Sequence, residues 1–491
     1  MSFDPAQLAQ IAPLLVVLAG GVFLLMLEAF SGSRNRSYLM PLTVILCAIA
    51  IGLELASWSD AAHGSRVIFD GMLTADRLSI FMDCVFLTAA ALSAMLSAGF
   101  MREHRFEHGE LYPLILFATG GMMMLGAATS LVTIFLGIET MSIAVYVLTG
   151  SWRRAPKSSE AAMKYYLNGA FSTAILLYGI ALVYGASGAT GLAELGQRAS
   201  VLGTQPIFIL GMLLILVGLG FKIAAVPFHM WAPDAYEGAP SPVSAFMATG
   251  VKAAAFTTIL RLFGTAFARP ELATGVVGWA NILAVIAVAT MTFGNLAALR
   301  QDNVKRMLAY SSIAHAGYLL IGVVAMGVVG VEARGPVLYY LVAYTFTTVG
   351  AFGVVAWLGN RGDERLQIDD WAGLASRHPA AALAMTIFML SLGGVPPTAG
   401  FFAKFYLFRI ALESAAPWML ILVVIAVLNS VVSVAYYLRV VTAMYFREVG
   451  REPQPIRARG MSLALVICAV ATLAIGILPG WLSDLAALAT R

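Results

Sequence analysis

Charge is what this sequence has least of. Of its 491 residues, 11% are Asp, Glu, Lys or Arg, against 60% hydrophobic; an ordinary soluble domain carries about 25% charged residues. So little charge cannot cover a water-facing surface, which excludes a soluble globular protein. Cysteine is scarce too. Cys47, Cys84 and Cys468 stand far apart in apolar segments, without a CxxC pair. Neither a zinc site nor an iron–sulfur cluster is readable from them, and inert buried thiols are expected. Met122-Met123-Met124 has no histidine at ligand spacing and reads as packing filler, so no metal site is expected. There is no GxxxxGK[ST] and no GxGxxG opening a βα unit. ATP is therefore not expected as the driver, and no NADH or flavin site is expected in this chain. MSFDPAQLAQ at the N-terminus lacks a positive n-region, so the first helix is expected to be retained.

What is present is apolar length. Runs of about twenty residues recur from end to end, as a helix needs to cross a hydrocarbon core of about 30 Å. The ten-residue alternating segments of a membrane β-barrel do not dominate. The expectation is an all-α integral membrane protein with about fourteen transmembrane helices. They fall at about 10–30, 39–58, 78–99, 111–127, 130–150, 160–185, 206–228, 241–267, 275–298, 304–328, 335–358, 380–412, 417–445 and 461–483. The seventh and twelfth contain prolines and are expected to be broken. With both termini outside, inner loops hold seventeen Lys and Arg residues and outer segments six, the bias that orients membrane proteins. Asp70-Gly71 within Val67–Ser79 signals a small outer hairpin.

A short internal repeat is visible. Tyr165-Tyr166-Leu167 with Thr173 resembles Tyr339-Tyr340-Leu341 with Thr347, and Val226-Pro227 parallels Val395-Pro396-Pro397 five helices on. Five crossings reverse direction, so such a repeat is inverted, as in many transporters; a chance match is the competing reading.

Seven basic residues fall inside spans: Lys164, Lys222, Lys252, Arg261, Lys404, Arg409 and Arg439. A charge at the bilayer centre costs at least about 2.5–3.5 kcal/mol. Glu139 in FLGIETMSI and Lys252 in FMATGVKAAAF sit too deep to reach an interface. Lys222 precedes Pro227, and Lys404 follows Pro396-Pro397. Proline frees a carbonyl one turn back, which a membrane tolerates only inside protein or beside water. Lysine there suits proton handling, since burial and a moving glutamate act oppositely on its charge. His229 and His315 are candidate relays, although His315 serves equally as a packing hydrogen bond. Arg261, Arg409 and Arg439, toward span ends, read as anchors, and Glu28, Glu54 and Asp83 as structural.

The stretches GFKIAAVPFHMWAPDAYEGAPSPVSAF, RQDNVKRMLAYSSIAHAGY and SLGGVPPTAGFFAKFYLF resemble the proton-conducting, antiporter-like membrane subunits of complex I and of Mrp antiporters. Lys404 in the twelfth helix, the run PPTAGFFAKFYLF and an end soon after the last helix are most similar to the subunit-N branch of the bacterial NADH:quinone oxidoreductases. The resemblance implies two inverted five-helix repeats, residues 111–267 and 268–446, flanked by three helices in 1–110 and one in 447–491. It implies that Glu139 pairs with Lys222, that Lys252 connects the halves, and that Lys404 stands near the exit. Lys164, His229 and His315 match further family positions as candidate relays. No cofactor is implied in this chain; NADH, FMN, iron–sulfur clusters and quinone belong to partner subunits. The implied partners are a neighbouring antiporter-like subunit, small membrane subunits and lipid, without nucleic acid. The implied location is the bacterial inner membrane, with periplasmic termini. A stand-alone or Mrp-type cation/proton antiporter is the alternative.

Overall fold

The computed structural model describes residues 6–31, 36, 38–63, 66–359, 364–414, 416–450 and 455–490. Four basic residues counted in the loop bias, Arg34, Arg361, Arg451 and Arg491, lie outside the described residues. In chain order the main helices are α1 (Ala12–Phe30), α2 (Leu39–Ser57), α3 (Arg77–Glu103), α4 (Leu111–Ala127), α5 (Leu131–Thr149) and α6 (Pro156–Ser187). Next come α7 (Leu192–Leu202), α8 (Pro206–Lys222), α9 (Trp231–Gly238), α10 (Ser241–Phe263), α11 (Trp279–Leu299) and α12 (Val304–Val329). The remainder are α13 (Arg334–Leu358), α14 (Pro379–Gly393), α15 (Ala399–Leu412), α16 (Pro417–Phe446), α17 (Arg459–Ile477) and α18 (Pro479–Leu488). Among the described residues, eleven helices are long and apolar enough to cross a membrane, and α4, α8 and α14 are shorter apolar helices.

Local chemistry sets the boundaries. Asp76 caps α3 in a reciprocal box with Ser79. Ser130 caps α5 and Asn303 caps α12. Proline opens α6, α8, α14, α16 and α18, where a missing N–H costs nothing. Strands β1 (Arg66–Ile68) and β2 (Leu73–Ala75) pair antiparallel around Asp70-Gly71, giving the expected hairpin.

Both expected breaks are present. α8 stops at Lys222, Ala224 turns left-handed at φ +56°, and helix resumes only at Trp231. α14 stops at Gly393, Gly394 turns left-handed at φ +83°, and α15 begins at Ala399. Three boundaries differ from expectation. The eighth span ends at Phe263 rather than 267 and contains a π-helical turn, Met247–Val251, directly before Lys252. The fourteenth is two helices, because Pro479 has no N–H to continue α17. The connection before α8 carries the short helix α7.

α10 is wholly buried, and α12 and α13 nearly so, whereas α1, α2 and α16 leave most of their surface open. Those open faces are apolar, with Phe23, Ile45 and Ile421 exposed. Acyl chains solvate such faces as readily as protein does. Lys252 and His315 thus stand on two of the three most buried helices, α10 and α12.

Candidate proton path

Lys222 is the last residue of α8 and is 3% exposed. Its ammonium donates to Ser142 Oγ of α5 at 2.7 Å and to the Tyr146 hydroxyl at 3.4 Å. Ser142 in turn donates to the Ile138 carbonyl of its own helix. Glu139 lies one turn before Ser142, on the same face. It is half-buried and forms no ion pair with Lys222. Glu139 acts on the Lys222 charge through space, while Ser142 makes the direct contact.

Lys252 follows the π turn, a backbone feature that recurs at functional sites. It is 1% exposed and donates to the Ser312 carbonyl of α12 at 2.5 Å and to the Ser312 hydroxyl. The Tyr344 ring stands 5.8 Å away. One turn along α12, His315 is held between two phenols, with Nδ1 2.6 Å from Tyr340 and Nε2 3.1 Å from Tyr437. The Tyr437 hydroxyl also contacts Ser311. Hydroxyls donate or accept, so either tautomer of His315 is satisfied.

Lys404 of α15 donates to the Leu392 and Gly393 carbonyls at 3.0 Å each and to Ser430 Oγ at 2.8 Å. These carbonyls end α14, where they lack helical partners and carry the negative end of the helix dipole. The Tyr318 ring lies 5.0 Å from the ammonium. The Tyr318 hydroxyl accepts from Asn295 Nδ2 at 3.0 Å. Asn295 also donates to Asn429 Oδ1 at 3.2 Å and accepts from Tyr436 at 2.9 Å. The structure therefore brings Lys252, His315 and Lys404 into one region of α10, α11, α12, α13, α15 and α16, among tyrosines, serines and asparagines.

The other candidates stand apart. The Lys164 side chain is 45% exposed, paired with Glu160 at 2.7 Å and Asp234 at 2.8 Å. Asp234 also meets Arg306 at 2.8 Å; Arg306 meets Glu237 at 2.9 Å, and Lys157 meets Glu237 at 3.1 Å. Burial pushes the Asp234 carboxyl up, but hydrogen bonds from Lys164 and Arg306 outweigh it and hold it below the usual carboxylate range. Glu237 is held low in the same way by Arg306 and Lys157. His229 is half-buried at the first break, its ring edge-to-face with Phe293 at 4.5 Å, and hydrogen-bonds to none of the lysines. The three arginines read as anchors do pair: Arg261 with Asp76 at 2.7 Å, Arg409 with Glu413 at 3.0 Å and Arg439 with Asp302 at 2.6 Å.

Sequence reasoning missed the neutral partners, Ser142, Ser312, Tyr340, Tyr437, Asn295 and Asn429. Serine and tyrosine are common in apolar helices and carry no signal alone. The two asparagines were legible in principle, because amides inside a span usually bond across helices. Among the described residues, no group of three His, Cys, Asp or Glu side chains is placed to hold a metal ion.

Fold and site together define a multi-spanning helical membrane protein that buries three lysines, two of them at helix breaks, among hydroxyl groups, backbone carbonyls and a histidine. Residues 128–430 match the model of the family described as NADH:quinone oxidoreductase/Mrp antiporter, transmembrane, and the chain belongs to that family. It is 46% identical over 488 residues to "NADH-quinone oxidoreductase subunit N 1" of Sorangium cellulosum, with 96% of each chain covered. It is 44% identical to subunit N of Trichlorobacter lovleyi, covering 100% of this chain and 98% of that one. The expected subunit-N branch is therefore the right one. A chain of respiratory complex I from Thermus thermophilus superposes with TM-score 0.81 at 33% identity, covering 97% and 99%. A chain of the Mrp complex from Dietzia superposes with TM-score 0.84 at 21% identity, covering 98% and 97%, a likeness of fold alone.

Proposed function

We propose that the chain is a proton-translocating membrane subunit of an NADH:quinone oxidoreductase, coupling electron transfer in other subunits to proton movement through its own buried side chains. One observation carries the reading. Lys222, Lys252 and Lys404 are each buried and bound to hydroxyl or carbonyl oxygens, none in ion-pair contact with a carboxylate. A proton held that way is retained or released according to the charges brought near it. Glu139, beside Lys222, supplies such a charge. Lys252, His315 and Lys404 carry the effect onward, with Ser312, Ser311, Tyr437 and Tyr340 as hydroxyls able to donate and accept at once. Lys164, in its exposed ion pairs, serves the loading side, and His229 the first break.

The chain itself holds no redox group in this reading. Electrons pass from NADH to quinone through FMN and iron–sulfur clusters in partner subunits. Its neighbours are another antiporter-like subunit, small membrane subunits and lipid. It lies in the bacterial inner membrane with both termini periplasmic. Its fourteen spans include two inverted halves, residues 111–267 and 268–446. The high identity to subunit N over the full length favours this reading over a stand-alone cation/proton antiporter. Native electrophoresis of membranes solubilised in mild detergent tests it: the chain should migrate with NADH dehydrogenase activity. Migration apart from that activity, with sodium-dependent growth rescue, would establish the antiporter instead.

A further inference from the structure

The carboxyl groups of Glu54 on α2 and Asp83 on α3 are in hydrogen-bond contact. Both are buried, at 7% and 5% exposure, and neither belongs to the lysine axis. Two carboxylates cannot share a buried hydrogen bond while both are charged; the contact requires a proton between them. Beside the pair is a cavity of about 40 Å³ lined by Gln10, Glu54, Ser57, Thr74, Ser79 and Asp83, large enough for water. Three buried oxygens on its wall have no hydrogen-bond partner: Gln10 Oε1, Thr74 Oγ1 and Asp83 Oδ1. Buried polar atoms are rarely left so, and the cavity has the room and the polar wall that a water molecule needs to reach them.

Thr74, 3% exposed, also lines a second, open cavity of about 1150 Å³ with Asp76, Arg261, Arg334 and Glu194. One threonine thus separates the carboxyl pair from a wide polar vestibule on the hairpin face. Asp76 and Arg261 are the charged groups facing the pair from that side, and the Cys84 thiol lies on its own helix.

We propose that Glu54 and Asp83 form a proton-binding site, hydrated through the Thr74 cavity and opening to the hairpin face of the protein. The site exchanges a proton with the solution on that face. Its part in transport rests on the proposed function, whereas proton binding stands without it.

Infrared difference spectra of the assembled complex between acid and alkaline pH test the binding directly. A protonated-carboxyl C=O band is expected, lost in Glu54→Gln and in Asp83→Asn and kept in Lys222→Met. Thr74→Val should shift that band by removing a cavity hydroxyl, and this reads the site even if a carboxyl variant does not assemble. Persistence of the band in both carboxyl variants, or an unshifted spectrum in Thr74→Val, overturns the proposal. Loss of the wild-type band on adding sodium overturns it too, by assigning a metal cation. A normal band in a complex that pumps without Lys222 would count against the proposed function and leave this site standing.

Discussion

Lys404 closes the break in its own span: its ammonium donates at 3.0 Å to the carbonyl of Gly393, the last residue of the half-helix on the other side. The contact joins α14 to α15 through a cation rather than through continuous helix. A change in the charge of Lys404 therefore acts on both half-helices at once.

Gly394 makes that approach feasible. It is left-handed at φ +83°, and a Cβ there would stand 3.0 Å from Lys404 Cδ and 3.3 Å from its ammonium. Gly394→Ala should cost about 1–2 kcal/mol from backbone strain alone and displace the lysine as well. Thermal denaturation of the purified complex should show a lowered Tm, and vesicles a lowered proton-to-electron ratio.

Ser142 and Tyr146 both hold Lys222, but unequally. The serine bond is 2.7 Å and the tyrosine contact 3.4 Å. Losing a hydrogen bond to a charged group costs about 1.5–3 kcal/mol, and a long one less. Ser142→Ala should therefore impair stability and pumping more than Tyr146→Phe. A side-by-side melting and vesicle-acidification assay gives the order.

The ion pairs around Asp234 and Glu237 give a pH dependence of known sign. Both carboxyls are held below their ordinary values in the folded chain. Their contribution is complete above the ordinary carboxylate pKa, near 4, and is lost as pH falls through the lower folded values. Both are partly exposed and screened, so each pair contributes only about 0–1 kcal/mol. Melting below pH ~4 should show a small extra loss of stability in the wild type that is reduced in Asp234→Asn and by high salt. Lys164→Met, at the exposed end of this network, should disturb pumping less than Lys222→Met.

Depth made the charged part of the site legible. Lys222, Lys252, Lys404 and Glu139 stand out because a membrane span has no cheap place for charge. Pro227 and Pro396-Pro397 announced the two breaks because proline cannot continue a helix. What the sequence did not carry was the wiring. Ser142, Ser312 and Tyr437 look like packing residues until α5, α12 and α16 are set against their neighbours. Nor did it carry how Glu139 approaches Lys222: spacing along two separate helices does not say which residue of a turn makes the direct contact, and here Ser142 does. Glu54 and Asp83 read as structural from position alone, and only their mutual contact and the unsatisfied oxygens beside them distinguish them.

The most direct measurement is proton pumping against quinone reduction in vesicles carrying Lys222→Met, with assembly checked on a native gel. If Lys222 belongs to a coupled translocation path, the complex assembles while pumping and quinone reduction fall together. Wild-type levels of both in an assembled Lys222→Met complex would contradict the path and leave Lys222 a structural residue.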